Sequence, residues 1–151
     1  MAGSFLGTGM KFPPQIDPAT GRIATSSEKD SVKESVYLIL MTSRSERYLR
    51  PDFGSTLLGF TFMDTNSTTL GMLQQELTNT LVKQEPRIGA VEINMEYLER
   101  KGALLINVDY TLRSSNIRDN LVFPFYLNAD FEEESPEEET EIYEAGNDEE
   151  V

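Results

Sequence analysis

The sequence predicts an α+β domain: two amphipathic helices packed on a small three-stranded antiparallel sheet, with an irregular N-terminal arm and a disordered acidic C-terminal tail. Two stretches of helical apolar spacing predict the helices, three stretches of strict alternation that follow them predict the sheet, and a sudden shift in charge predicts the tail. The boundaries read as 1–25 for the arm, 26–128 for the domain and 129–151 for the tail.

In the arm, Gly3, Gly7, Gly9, Pro13, Pro14, Pro18 and Gly21 interrupt any long regular element, and Asp17-Pro18-Ala19-Thr20-Gly21 reads as a turn. A stretch of this length without structure is expected to lie along a surface. The first helix starts near Ser26 or Ser27, where Ser27 and Asp30 form a loose capping box. Val32, Val36, Ile39 and Leu40 share one face, with Lys29, Lys33 and Glu34 opposite, and the helix ends by Ser43. Residues 44–66 read as loop with one short turn. A second helix begins between Ser67 and Thr69, with Leu70, Leu73, Leu77 and Leu81 as its stripe, and stops at Glu85 because Pro86 follows.

Three strands come next. Val91, Ile93, Met95 and Tyr97 alternate with Glu92, Asn94 and Glu96, and Leu104, Ile106, Val108, Tyr110 and Leu112 alternate with polar residues. Glu99-Arg100-Lys101-Gly102 suits the hairpin turn between them. The third strand, Leu121–Leu127, points Leu121, Phe123, Phe125 and Leu127 one way, and Pro124 inside it calls for an edge position.

Composition removes whole classes of chemistry. The 151 residues include no Cys, His or Trp, so thiolate nucleophiles, imidazole bases, disulfides and Cys/His zinc sites are impossible. No cofactor is expected. Of the 26 acidic residues twelve lie in 130–151, leaving 14 against all 13 basic residues in the body. The acidity thus belongs to the tail, and the body carries no basic excess for nucleic acid. The tail reads first as a solvating segment and second as a tether for a basic partner, with Phe131, Ile142 and Tyr143 as anchors. The longest apolar run, Val36–Met41, is far below the roughly 20 residues needed to span a bilayer, so no membrane insertion is expected, and the N-terminus does not read as a targeting segment.

Carboxylate pairs such as Glu46 with Asp52, or Glu85 with another acid, could in principle hydrolyse glycosides. Each has an arginine nearby (Arg47, Arg50 or Arg87), and a guanidinium lowers a carboxyl pKa, which works against a general acid. Salt bridging is the stronger reading. Gly7-Thr8-Gly9-Met10-Lys11 lacks the spacing of a phosphate-binding loop.

Several segments taken in order resemble a known family. They are Gly9-Met10-Lys11-Phe12-Pro13 with Asp17-Pro18-Ala19-Thr20-Gly21-Arg22-Ile23, the helix Val32–Met41, Glu46-Arg47 followed by Arg50-Pro51-Asp52-Phe53-Gly54, and Glu85-Pro86-Arg87. The set resembles the baseplate wedge, or sheath-initiator, family of contractile tails, whose relatives occur in T-even-type phages, R-type bacteriocins, extracellular contractile injection systems and the type VI secretion baseplate. No single motif is specific, but the ordered set is, over about Gly7 to Leu127. Ser45 stands where relatives often carry Gly.

The resemblance implies a structural, non-enzymatic protein. Its expected partners are baseplate wedge proteins, sheath protein and tube or hub proteins, with about six copies in a ring. Strand exchange would template the first sheath ring. The chain would be cytoplasmic during assembly and then part of the baseplate. Glu85, Pro86 and Arg87 are expected to present opposite charges to a wedge partner, against the simpler reading of a helix end whose last carbonyls Arg87 caps. Arg50 and Asp52 are expected to hold their loop to its own helix or to the wedge, with Phe53 as a core plug and Gly54 permitting a tight backbone. Edge strand residues Leu121, Phe123 and Phe125 complete the expected partner-binding set, with two alternatives open: Pro124 blunts this edge against pairing, and the other side of the hairpin is the accepting edge. The alternatives are a baseplate-associated, lysozyme-like peptidoglycan hydrolase and an acidic-tailed protein-binding module.

Overall fold

The computed structural model describes residues 6–127; the expected acidic tail, 129–151, lies outside them. The order is β1 (Thr8–Met10), β2 (Thr25–Ser27), α1 (Glu28–Met41), a 3-10 turn (Leu57–Phe62), α2 (Ser67–Gln84), β3 (Ile88–Leu98), β4 (Ala103–Leu112) and β5 (Arg118–Tyr126). The last three form an antiparallel sheet with β4 in the centre, and α1 and α2 cover one face of it. The architecture is α+β, as the apolar patterning predicts.

Each element follows from its residues. Val32, Val36, Ile39 and Leu40 of α1 and Leu73, Leu77 and Leu81 of α2 are buried against Leu104, Ile106, Val108, Tyr110 and Leu112 of β4. Burying a side chain of this kind contributes roughly 1.5–3 kcal/mol. Helix α2 is capped by Asn66, whose side chain accepts from the Thr69 amide at 2.8 Å. Gly102, at φ +55, closes the hairpin after a 3-10 turn at Glu99–Lys101. Pro124 lies opposite Leu105 in β5, an edge strand.

Two local features differ from expectation. Ser27 precedes α1 but its side chain makes no capping bond. It is also the last residue of β2, paired with Thr8, and the Glu28 amide is satisfied by the Gly7 carbonyl instead. The expected irregular arm contains a ribbon. Strand β1 pairs with β2, Ile16 bridges to Ile23, and the Asp17–Gly21 turn closes the end. The Asp17 carboxylate accepts from the Ala19 amide and the Thr20 hydroxyl there, and these bonds hold its pKa below the ordinary carboxylate value. Gly and Pro prevent long strands but not a few cross-strand bonds anchored by a good turn.

Candidate interface

Glu85 and Arg87 meet at the corner between α2 and β3. Pro86 ends the helix, and the chain turns so that both side chains point back over α1. Nε of Arg87 donates to Oε1 of Glu85 at 2.8 Å and Nη2 donates to Oε2 at 2.9 Å, a bidentate pair. The Ser35 hydroxyl of α1 donates to Oε2 at 2.5 Å, and the Arg87 amide donates to Oε1 at 3.2 Å. The third guanidinium nitrogen, Nη1, donates to the Leu6 carbonyl at 3.0 Å and to Ser31 Oγ at 3.3 Å. The Glu85 side chain is only 4% exposed, against 28% for Arg87. Burial alone would raise the Glu85 pKa, but the hydrogen bonds from Arg87 and Ser35 outweigh it, so the carboxyl lies below its ordinary value. That is the wrong direction for a general acid in glycoside hydrolysis. The motif thus joins α1, α2, β3 and the start of the arm, and its charges are spent on one another.

Arg50 and Asp52 lie on a loop at the far side of α2. Their charged atoms are 3.5 Å apart, with side chains 60% and 64% exposed. The loop itself is firmly held. Gln84 of α2 donates to the carbonyls of Asp52 and Gly54 and accepts from the Gly54 amide. Phe53 is partly buried against the core, with the Arg47 guanidinium 4.8 Å from its ring centre. Gly54 has φ +106, and a Cβ there would run into the Thr42 carbonyl. Ser45 adopts φ +71, the left-handed region that favours glycine. The tip of this loop presents Tyr48 and Leu49 almost wholly to solvent; as apolar residues, they carry no sequence signal for that position.

The sheet edges are defined by hydrogen-bond parity. At one end of β5 the Leu127 amide donates to the Gly102 carbonyl, and at the other the Leu112 amide donates to the Ile117 carbonyl. The register between them is unbroken, so odd-numbered residues of β5 turn their main chain toward β4. Leu121, Phe123 and Phe125 are therefore bonded inward through their backbones, and their side chains face the core. The outward groups belong to Arg118, Asn120, Val122, Pro124 and Tyr126, and Pro124 has no N–H to offer. On β4 the odd-numbered residues remain for β3, whose register places Glu92, Asn94, Glu96 and Leu98 on that shared side. Val91, Ile93, Met95 and Tyr97 consequently turn N–H and C=O outward. Among the described residues no backbone partner meets either outer edge.

A further tie reinforces β4 and β5. The Tyr110 hydroxyl donates to Asp119, whose other oxygen lies 3.4 Å from Lys33 of α1. Burial, then the Asp119 charge, pushes the Tyr110 pKa up. Among the described residues no group of three or more carboxylates is placed to hold a metal ion, and no helix is long and apolar enough to cross a membrane.

A family profile for baseplate wedge protein gp25 matches residues 26–117, from the end of the ribbon to the turn before β5. The chain belongs to the baseplate wedge protein family. A crystal structure from Geobacter sulfurreducens, provisionally named a tail lysozyme, is 41% identical with a TM-score of 0.63, over 70% of this chain and 96% of that one. A chain in the anti-feeding prophage baseplate is 19% identical with a TM-score of 0.55, over 84% of this chain and 90% of that one. A chain of the type VI secretion system baseplate complex has the same identity and TM-score, over 65% of this chain and 92% of that one. The last two share the fold. No curated protein matches significantly. As a baseplate wedge family member, the chain has the structural, contractile-tail setting that the ordered motifs imply.

Proposed function

We propose that this protein is a non-enzymatic baseplate component that joins the wedge around the tail tube and templates the first sheath ring by strand exchange. The observation that carries this reading is a three-stranded sheet whose outer edges meet no backbone partner among the described residues, in a chain of this family. Each main-chain hydrogen bond gained by an added strand contributes roughly 0.5–1.5 kcal/mol, and a ring of about six copies combines such contacts by multivalency. The related folds from two baseplate complexes support a place in a baseplate; in this reading its partners there are wedge, sheath and tube or hub proteins, and it is made in the cytoplasm before assembly. Residues 26–128 act as the interlocking unit, 1–25 as an arm along its surface, and 129–151 as a solvating tail. Arg50 and Asp52, exposed on a held loop, face the wedge. Glu85, Pro86 and Arg87 fix the shape of the corner offered there. Leu121, Phe123 and Phe125 seat β5 so that its even-numbered residues lie at the rim.

Particles lacking this chain should fail to polymerise a sheath on the baseplate in electron micrographs. A normal sheath in its absence would overturn the reading. The name of the 41% identical relative favours one alternative, a peptidoglycan hydrolase. Loss of turbidity in purified cell walls, abolished by changing one carboxylate, would establish that alternative.

A further inference from the structure

The two outer edges of the sheet are not equivalent. On β5 the outward series is interrupted at Pro124, so a strand laid there meets a missing donor near its middle. Natural sheets use such prolines, together with lysines, to discourage pairing at an edge. The outward series on β3 has neither. Val91, Ile93, Met95 and Tyr97 present four consecutive donor and acceptor pairs, and β3 is the longest strand of the sheet at 11 residues. Their side chains lie on the helix-covered face, where Val91, Met95 and Tyr97 are only partly buried. The other face of β3 carries Glu92 and Glu96, both exposed. Glu92 sits directly opposite Asp109 of β4, and among the described residues none of these three acids has a salt-bridge partner. Like charges facing each other across a ladder are unfavourable.

We propose that the outer edge of β3 is the docking edge, and that its occupant is an extended segment of another protein chain in which apolar and basic residues alternate. This rests on the strand-exchange reading and specifies its partner. The apolar side chains of such a segment would extend the core beside Val91, Met95 and Tyr97. Its Lys or Arg side chains would fall beside Glu92 and Glu96 and relieve the repulsion with Asp109. The twelve acids of residues 130–151 make this chain's own C-terminus a poor occupant, since they add negative charge to the same face.

Amide exchange followed by NMR on the full-length protein, with the synthetic peptides KVKVKVK and EVEVEVE at low salt, tests the proposal. KVKVKVK should slow the amides of Val91, Ile93, Met95 and Tyr97 at least tenfold and leave Arg118, Asn120 and Val122 unchanged, while EVEVEVE does neither. Glu92→Lys with Glu96→Lys should reverse the peptide preference. Slowing confined to Arg118, Asn120 and Val122 would overturn the choice of edge and leave strand exchange standing. Equal slowing by both peptides would overturn the basic occupant, and outward β3 amides already slow without peptide would show the edge to be filled by the chain itself. No slowing at either edge would overturn the proposal, while sheath growth on particles separately judges the role in assembly.

Discussion

Glu85-Pro86-Arg87 and Arg50-Pro51-Asp52 are mirror images in sequence, an acid and an arginine separated by proline. Their fates differ. The first is a bidentate pair at 2.8 and 2.9 Å, roofed by α1 and the arm, with an almost fully covered carboxylate. The second is a single approach of 3.5 Å in open solvent. Proline fixes the chain direction in both, so spacing is not what separates them. Burial is: a covered carboxylate must be paired, whereas an exposed one is already solvated by water.

The sharpest way to break this contrast is to remove each arginine. Arg87→Ala leaves a buried carboxylate without its partner and should cost about 3 kcal/mol in urea unfolding, with Arg87→Lys recovering only part because the fork is lost. A loss below about 1 kcal/mol would erase the distinction. Gly54→Ala, beside the exposed pair, should cost about 2 kcal/mol through backbone strain, showing that this loop depends on conformation and not on charge.

A pH series sharpens the contrast further. Since the Glu85 carboxyl is depressed on folding from its ordinary 4.5, its contribution is complete above that value and fades as pH falls through the folded pKa. The stability gap between wild type and Glu85→Gln should therefore hold steady above about pH 4.5 and narrow as the pH falls below it; a constant gap would show that ionisation is irrelevant there. Ser45→Gly should stabilise by about 0.5 kcal/mol, as relief of the left-handed backbone exceeds the added freedom of the unfolded chain. Smallest of all, Arg50→Ala should change stability by less than about 0.5 kcal/mol by thermal melting.

Much of the fold is legible in the sequence because periodicity reports burial directly. The leucines of α2 and the alternation in β4 place those elements to within a residue or two. Strand β3 begins three residues earlier than the alternation suggests, because a register shift between Ile88 and Val91 breaks the pattern at Gly89 and Ala90. The ribbon in the arm is hidden because its pairing is main-chain bonding, to which side-chain pattern is nearly blind. The same blindness explains the interface. Alternation identifies Leu121, Phe123 and Phe125 as a shared face, but whether their amides point to β4 or outward depends on which pair of the ladder is hydrogen-bonded. The closure of Glu85 on Arg87 likewise depends on Ser35 and Leu6, residues that no local window contains.

The bond from Arg87 to the Leu6 carbonyl spans 81 positions of the chain. On a ribosome adding roughly 5–20 residues per second, Leu6 emerges several seconds before its anchor exists. Until then the ribbon can bend on itself and tie to the start of α1 through Gly7 and Glu28, but the Leu6 carbonyl has no guanidinium to accept from. The arginine serves as a late latch, closing on an early residue only once the second helix has been completed.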